Sequence, residues 1–450
     1  MNKLPFERPI IKKLNTGISN KFGLRTELEP ISNIDRVPVS GLIKDFGTPL
    51  FVISESTIRN TIHEAKRAFE TRYPKVQFAW SYKTNYLDAV CRIFHQEGSW
   101  AEVVSRYEYD KALSNGVSGE KIIFNGPDKS EDDLVTASNN GSLIHIDHFD
   151  ELYTLIEISG KLKKRPKVAI RVNMDTGIFP QWDRFGFNYE NGEAMEAINK
   201  IMNSKKLEFV GLHAHIGTFM LSAGAYEVEA SKLAKLAFEF KKKYGSNIDY
   251  IDIGGGFASR NTLKGAYQTG QDTAPSFDDY AEAITNALIN SQLDTDDMPL
   301  LILETGRALI DEAGYLLGTV IANKKLSDGR RSTIVNFGVN ILFTAFWYEH
   351  RINPEKEYSG HNETTALYGP LCMNIDQIRD SIQLPPLKKD DNLVVSCVGA
   401  YNMTQWMQFI TLRPSIVLID TEGEVHIIRN KESNKDITAL EYVPNHLDKI

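Results

Sequence analysis

Cysteine is scarce in this chain: its 450 residues hold three, Cys91, Cys372 and Cys397. An odd count without paired spacing excludes a disulfide framework and predicts a reducing compartment. No segment approaches the ~20 apolar residues of a membrane span, and the opening MNKLPFERPIIKK has no apolar stretch long enough for a signal peptide. A soluble, cytoplasmic protein is therefore expected. Long runs of lysine or arginine are also missing. The net charge is -8, and the locally basic fragment 161–167 reads as a solvated loop before a strand, not a nucleic-acid patch. No internal repeat stands out beyond an alternation of strands and helices.

The chain does have enough apolar residues, 42%, to bury a large core, in two domains or in one with an appendage. From about residue 76, β-branched and aromatic runs alternate with amphipathic stretches. Strands are predicted at 76–82, 100–104, 121–125, 143–147, 167–173, 208–215, 249–253 and 300–304. Helical spacing recurs between them, as at Leu87–Gln96, Tyr107–Ser114, Asp150–Ile158 and Tyr226–Lys243. Eight βα units in this length predict an α/β protein with a closed (βα)8 TIM-like barrel, assigned here to residues 50–308. After about residue 310 the runs GYLLGTVIA, STIVNFGV, NLVVSCVGA, SIVLID and EVHIIR lack intervening helices. They predict a mainly antiparallel β domain, residues 309–450, completed by residues 1–49. Loops at 176–190, 258–276 and 353–365 are candidate edges of an active site.

Lys83 follows the first predicted strand. Downstream lie HAHIGT (213–218), GGGF (254–257), ETGR (304–307), GPLC (369–372) and GAY (399–401). A lysine alone past a strand is usually a solvated surface residue, and GGG alone is a turn. In this order they describe a pyridoxal phosphate site, with an amine able to form a Schiff base and glycine-exposed amides able to hold a phosphate. In a barrel the chemistry sits where strands end. Lys83, His215, the glycines and Glu304 all fall on that face. Glu304 would keep a pyridine nitrogen protonated, against the alternative of a salt bridge to Arg307. His215 would lie against the ring, and Thr218 would donate to phosphate.

These motifs, with FAWSYKTN, WAEVVS, NGPDKS and RFGF, resemble the ornithine/diaminopimelate decarboxylase family of fold-type III pyridoxal phosphate enzymes along nearly the whole chain. The resemblance implies the alanine racemase-like fold and an amino-acid α-decarboxylase, releasing carbon dioxide and an amine. It implies that Lys83 carries the cofactor and that His215 stacks on its ring. Thr218, Gly255, Gly256 and the segment Glu304, Thr305, Gly306, Arg307 would bind the cofactor, Glu304 at the ring nitrogen. Tyr401 would contact phosphate or substrate. Cys372 resembles the cysteine that a neighbouring subunit supplies to return a proton to Cα, which implies a homodimer with shared sites. Substrate would meet Arg307, Tyr348, Glu349, Met373 and Tyr401.

Several positions depart from the family pattern. Glu102 stands where Asp is usual, and Thr218 replaces Ser. Met373 replaces the acid that follows the cysteine in the diaminopimelate and ornithine enzymes. Thr344 stands where diaminopimelate enzymes have arginine. Tyr348 is retained, with Glu349 beside it. The expected substrate is a diaminopimelate- or ornithine-like amino acid, or an amino-acid conjugate with a neutral or extended distal group. An ornithine or lysine decarboxylase is the alternative. A racemase fits less well, because racemases put arginine opposite the ring nitrogen. A metal-dependent barrel hydrolase using His213 and His215 fits less well too, since such a pair belongs on the first strand. No metal is expected. A catalytically silent homologue would not be expected to keep Lys83, His215, Glu304 and Cys372 together.

Overall fold

Strands buried on both faces read as continuous apolar runs, and eight such runs close here into a parallel barrel. The computed structural model describes residues 29–162, 164–266, 268–294 and 298–447. The barrel strands are Val76–Ser81, Trp100–Val103, Ile122–Phe124, Leu143–Ile146, Lys167–Asn173, Glu208–Ala214, Tyr250–Asp252 and Leu300–Leu303. Each pairs in parallel with the next, and the eighth pairs back onto the first. All eight expected strands are present. Helices follow them on the outside, their starts fixed by side-chain caps such as Ser130 and Ser276, which form capping boxes with Asp133 and Asp279.

The interior of the barrel is layered. Ala79, Ile123, Leu143, Ala169, Val210, Tyr250 and Ile302 form an apolar plug, with Trp100 packed against it. One step nearer the C-terminal ends, every strand contributes a polar side chain instead: Ser81, Glu102, Asn125, His145, Arg171, His213, Asp252 and Glu304. Seven of these follow a plug residue by two positions, which keeps them on the inward face. His213 follows Val210 after a register shift in its strand. A complete polar tier inside a barrel costs stability unless its groups partner one another, so its presence marks the working end.

The second sheet is mostly antiparallel. Gly314–Lys325 pairs with Leu50–Ser54, Arg331–Val335 and Asn392–Ser396. Two of the pairings in this sheet are parallel: Arg331–Val335 with Glu363–Tyr368, and Ile416–Ile419 with Leu50–Ser54. Leu50–Ser54, expected at the start of the barrel unit, therefore belongs to this sheet. All five of its residues are buried, and such a run reads alike in either setting. Residues 29–49 pack on the same sheet, where Ile34, Val39 and Leu42 meet Leu50, Leu317 and Val417. The remainder of the expected N-terminal contribution, 1–28, lies outside the described residues. No described helix is long and apolar enough to cross a membrane.

Candidate active site

A cavity of about 820 Å³ opens at the C-terminal end of the barrel. Lys83, His215, Thr218, Glu304, Arg307, Tyr348 and Tyr401 all line it, so half of the fourteen site residues expected from sequence converge there. Lys83 sits in a one-turn 3-10 helix just past the first strand. Its ammonium donates to Glu102 Oε2 at 2.6 Å, and Ser81 Oγ donates to the same oxygen at 2.5 Å. Burial opposes the charge on Lys83, but Glu102 and Glu304 outweigh it and raise its pKa. Burial also works against the Glu102 carboxylate; Lys83, Ser81 and Asn125 together hold its pKa below the usual range. The role left open for Glu102 in the sequence is thus filled by an ion pair between its buried carboxylate and the cavity-facing Lys83.

Asn125 Nδ2 bridges the two carboxylates, donating to Glu102 at 3.0 Å and to Glu304 at 2.7 Å. Burial pushes Glu304 well above the ordinary carboxyl range, and the like charges of Asp252 and Glu102 add to this. The salt bridge to Arg307, considered above as the alternative for Glu304, does not form. Burial, Arg171 and Lys83 drive His215 to the neutral form. The Gly255 N–H donates to its Nδ1 at 3.1 Å, which places the remaining ring proton on Nε2. Trp182 meets the His215 ring edge-on at 5.5 Å.

Close backbone packing builds the floor beside these groups. Gly256 has φ +93°, and a Cβ there would collide with the Gly217 carbonyl. A Cβ on Gly306 would collide with Thr84 Oγ1. Buried polar atoms near this floor lack partners: Thr84 Oγ1, Thr305 Oγ1 and Arg307 Nη1. The Arg307 guanidinium lies 4.5 Å from the Tyr401 ring centroid and 5.2 Å from that of Tyr348. An anion placed here would find donors with nothing else to bind. With an amine at one end, a proton-holding carboxyl at the other and an anion cradle alongside, the residues fit pyridoxal phosphate.

Other expected residues stay apart from this cavity. Glu349 accepts from Arg379 at 3.2 Å, so its carboxylate is committed elsewhere and is not offered to a substrate amine. Met373 packs against the hydrophobic core. Cys372 is exposed and does not line the cavity of its own chain. Loop 176–190 delivers Phe179, Trp182 and Phe185 to the rim, and loop 258–276 delivers Leu263 and Lys264. Loop 353–365 contributes nothing; Phe346, Trp347 and Gln405 stand at the rim instead. His213 and His215 do not act as a pair. His213 is buried in the polar tier, stacked on His145 at 4.6 Å. Asn125, Arg171, Thr84 and Asp252 were missed, although counting two residues beyond each apolar inward position finds Asn125, Arg171 and Asp252.

Comparison with known proteins places this geometry among relatives. Residues 59–311 match the pyridoxal binding domain of pyridoxal-dependent decarboxylases. The chain is 30% identical over 433 residues to the diaminopimelate decarboxylase of Methanocaldococcus jannaschii, covering 92% of this chain and 95% of that protein. It is 28% identical to that of Bacillus subtilis, covering 89% and 92%. The crystal structure of the M. jannaschii enzyme with L-lysine superimposes with a TM-score of 0.84 at 29% identity, over 92% of this chain and 96% of that one. A lysine/ornithine decarboxylase of Vibrio vulnificus complexed with putrescine shares the fold, with a TM-score of 0.71 at 19% identity over 86% and 98%.

Proposed function

The chain belongs to the pyridoxal-dependent decarboxylases, and from that membership we propose that its barrel cavity removes the α-carboxyl of an amino acid with Lys83 as the cofactor-bearing residue. The observation that carries this is the line Lys83, Glu102, Asn125, Glu304, an amine joined through buried hydrogen bonds to a carboxyl that can hold a ring-nitrogen proton. Pyridoxal phosphate, when bound, supplies an electron sink for the pair released as the Cα–carboxyl bond breaks.

Each chain residue then has a defined task. Glu102 takes the charge of Lys83 and orients its amine. Glu304 would hold a proton at the ring nitrogen. His215, neutral and fixed by Gly255, would pack against the ring. Thr218, Gly255, Gly256, Thr305, Gly306 and Arg307 would hold the phosphate, with Tyr401 beside them. The aromatic rim of Phe179, Trp182 and Trp347 keeps water away from the reacting carbon, and Tyr348 shapes the substrate side.

Borohydride reduction followed by peptide mapping tests this reading. The cofactor should be found on Lys83, with carbon dioxide released from at least one amino acid or amino-acid conjugate in a product screen. A label on another lysine, or no label, would overturn it.

Cys372 is proposed to act in the site of a second copy of the chain, returning a proton to Cα across a symmetric dimer. Its exposure outside its own cavity supports this. Mixing inactive Lys83→Ala protein with Cys372→Ala protein should then give activity above both parents, since some mixed dimers carry one intact site. No gain after demonstrated subunit exchange would show that Cys372 serves its own chain or has no part in the reaction.

A further inference from the structure

Glu102, Asp252 and Glu304 are each 5% exposed or less, inside one barrel. Glu102 has a cation of its own in Lys83. Asp252 and Glu304 have only His213, whose Nδ1 lies 3.4 Å from Asp252 Oδ1 and 4.0 Å from Glu304 Oε1. One ligand atom each from Asp252, Glu304, His145 and His213 lie within 4.8 Å of one another. Burial drives both histidines toward the neutral form, helped by Arg171 at His213 and by His213 at His145. Two donors are already engaged, Gly254 N–H on Asp252 Oδ1 at 2.7 Å and Asn125 on Glu304 Oε1, and the ring nitrogens His213 Nδ1 and His145 Nδ1 make no hydrogen bond. Asp252 Oδ2 is buried without a donor. The two carboxyls thus crowd one buried site, and a hydrogen bond between two carboxylate acceptors requires a proton on one of them.

We propose that Asp252 and Glu304 share a single proton and act as one monoanionic unit at the floor of the site, with Asp252 a positioning residue for Glu304. Two bare carboxylates would repel in a low-dielectric interior, and two neutral acids would leave a protonated ring nitrogen without a counter-ion. One proton between them meets both demands. Burial raises both groups, Asp252 to about 6. The groups facing the pair from neighbouring elements are Lys83, Glu102, His145, Arg171, His213 and Glu229, the last from the helix Ala223–Tyr244. The consequence for the ring nitrogen rests on the role proposed for Glu304. The shared proton itself does not, and it is measurable without turnover.

The test is the infrared carbonyl stretch of protonated carboxyl groups in the full-length protein near neutral pH. Glu304→Gln and Asp252→Asn should each perturb the same band, by removing it or by shifting its frequency, because the shared proton loses its carrier or its hydrogen-bond acceptor with either carboxyl. Glu229 is also buried without a partner and raised by burial, so Glu229→Gln should remove a different band and serves to separate the signals. If Asp252→Asn fails to fold, Asp252→Ser gives the same reading. Sharing is overturned if Glu304→Gln removes the band while the Asp252 variant leaves its frequency and intensity unchanged, since the proton then belongs to Glu304 alone. It is overturned equally if neither variant changes the spectrum and the imidazole resonances of His213 show a cation.

Discussion

Lys83→Ala is expected to lower kcat by on the order of 10⁴ or more, about 5 kcal/mol of barrier, because the other lysine lining the cavity, Lys264, stands at its rim and lacks the hydrogen-bonded link to Glu102. The loss should appear in single turnovers as well as in steady state. It should be accompanied by disappearance of the borohydride label. Circular dichroism should remain that of a folded barrel, since the Lys83 side chain points into the cavity while the apolar plug lies below it. A smaller effect on stability is expected too. Glu102 loses its cation but keeps hydrogen bonds from Ser81 and Asn125. An unpaired buried carboxylate is tolerated only when protonated, so the destabilisation should grow as pH rises, and Lys83→Ala combined with Glu102→Gln should recover stability without activity. Turnover by Lys83→Ala within tenfold of the parent would sink the assignment.

Meso-diaminopimelate is expected to be a poor substrate, with kcat/KM at least about 100-fold below that of the preferred one, although the relatives at 28–30% identity are diaminopimelate decarboxylases. The difference lies in the distal half of the site. Thr344, which the family resemblance sets against an arginine, is 1% exposed and bonded to His350 and Asn402 at 2.8 and 2.9 Å. It cannot grip a distal carboxylate. Met373 is apolar, and Glu349 is engaged with Arg379. The carboxylates that do line the cavity, Glu102 and Glu304, serve Lys83 and Asn125. A distal ammonium would therefore enter without a partner from this chain and lose a few kcal/mol of binding. The aromatic rim instead favours a neutral or extended distal group. Ornithine and lysine remain the comparison substrates. Steady-state kinetics in which diaminopimelate outperforms every other candidate would overturn this specificity argument and leave the decarboxylase standing.

The barrel was legible because each of its strands is buried on both faces and so announces itself as an apolar run; their order alone placed Lys83, His215 and Glu304 on one rim. The polar tier was less legible. Asn125, Arg171 and Asp252 fall inside the runs read as strands, where a single polar residue among apolar ones carries no sign that it joins others on the inward face. The engagement of Glu349 was hidden for a different reason: its partner, Arg379, lies thirty positions on, in the strand Gln377–Leu384, and no local pattern couples them. Leu50–Ser54 fell inside the range assigned to the barrel because five buried residues say nothing about which neighbours bury them.

That short strand also dictates an order of events during synthesis. Leu50–Ser54 emerges from the ribosome before any barrel strand, yet one of its two neighbours, Ile416–Ile419, emerges after all of them. The eight barrel strands close on one another without either partner, whereas the flanking sheet is completed only by joining early chain to late chain. Pairing across so long a stretch of sequence is slow, and an apolar segment left waiting is the kind of surface that chaperones bind. The barrel is thus able to form while translation proceeds, and the clasp that ties the two ends of the described chain together closes last.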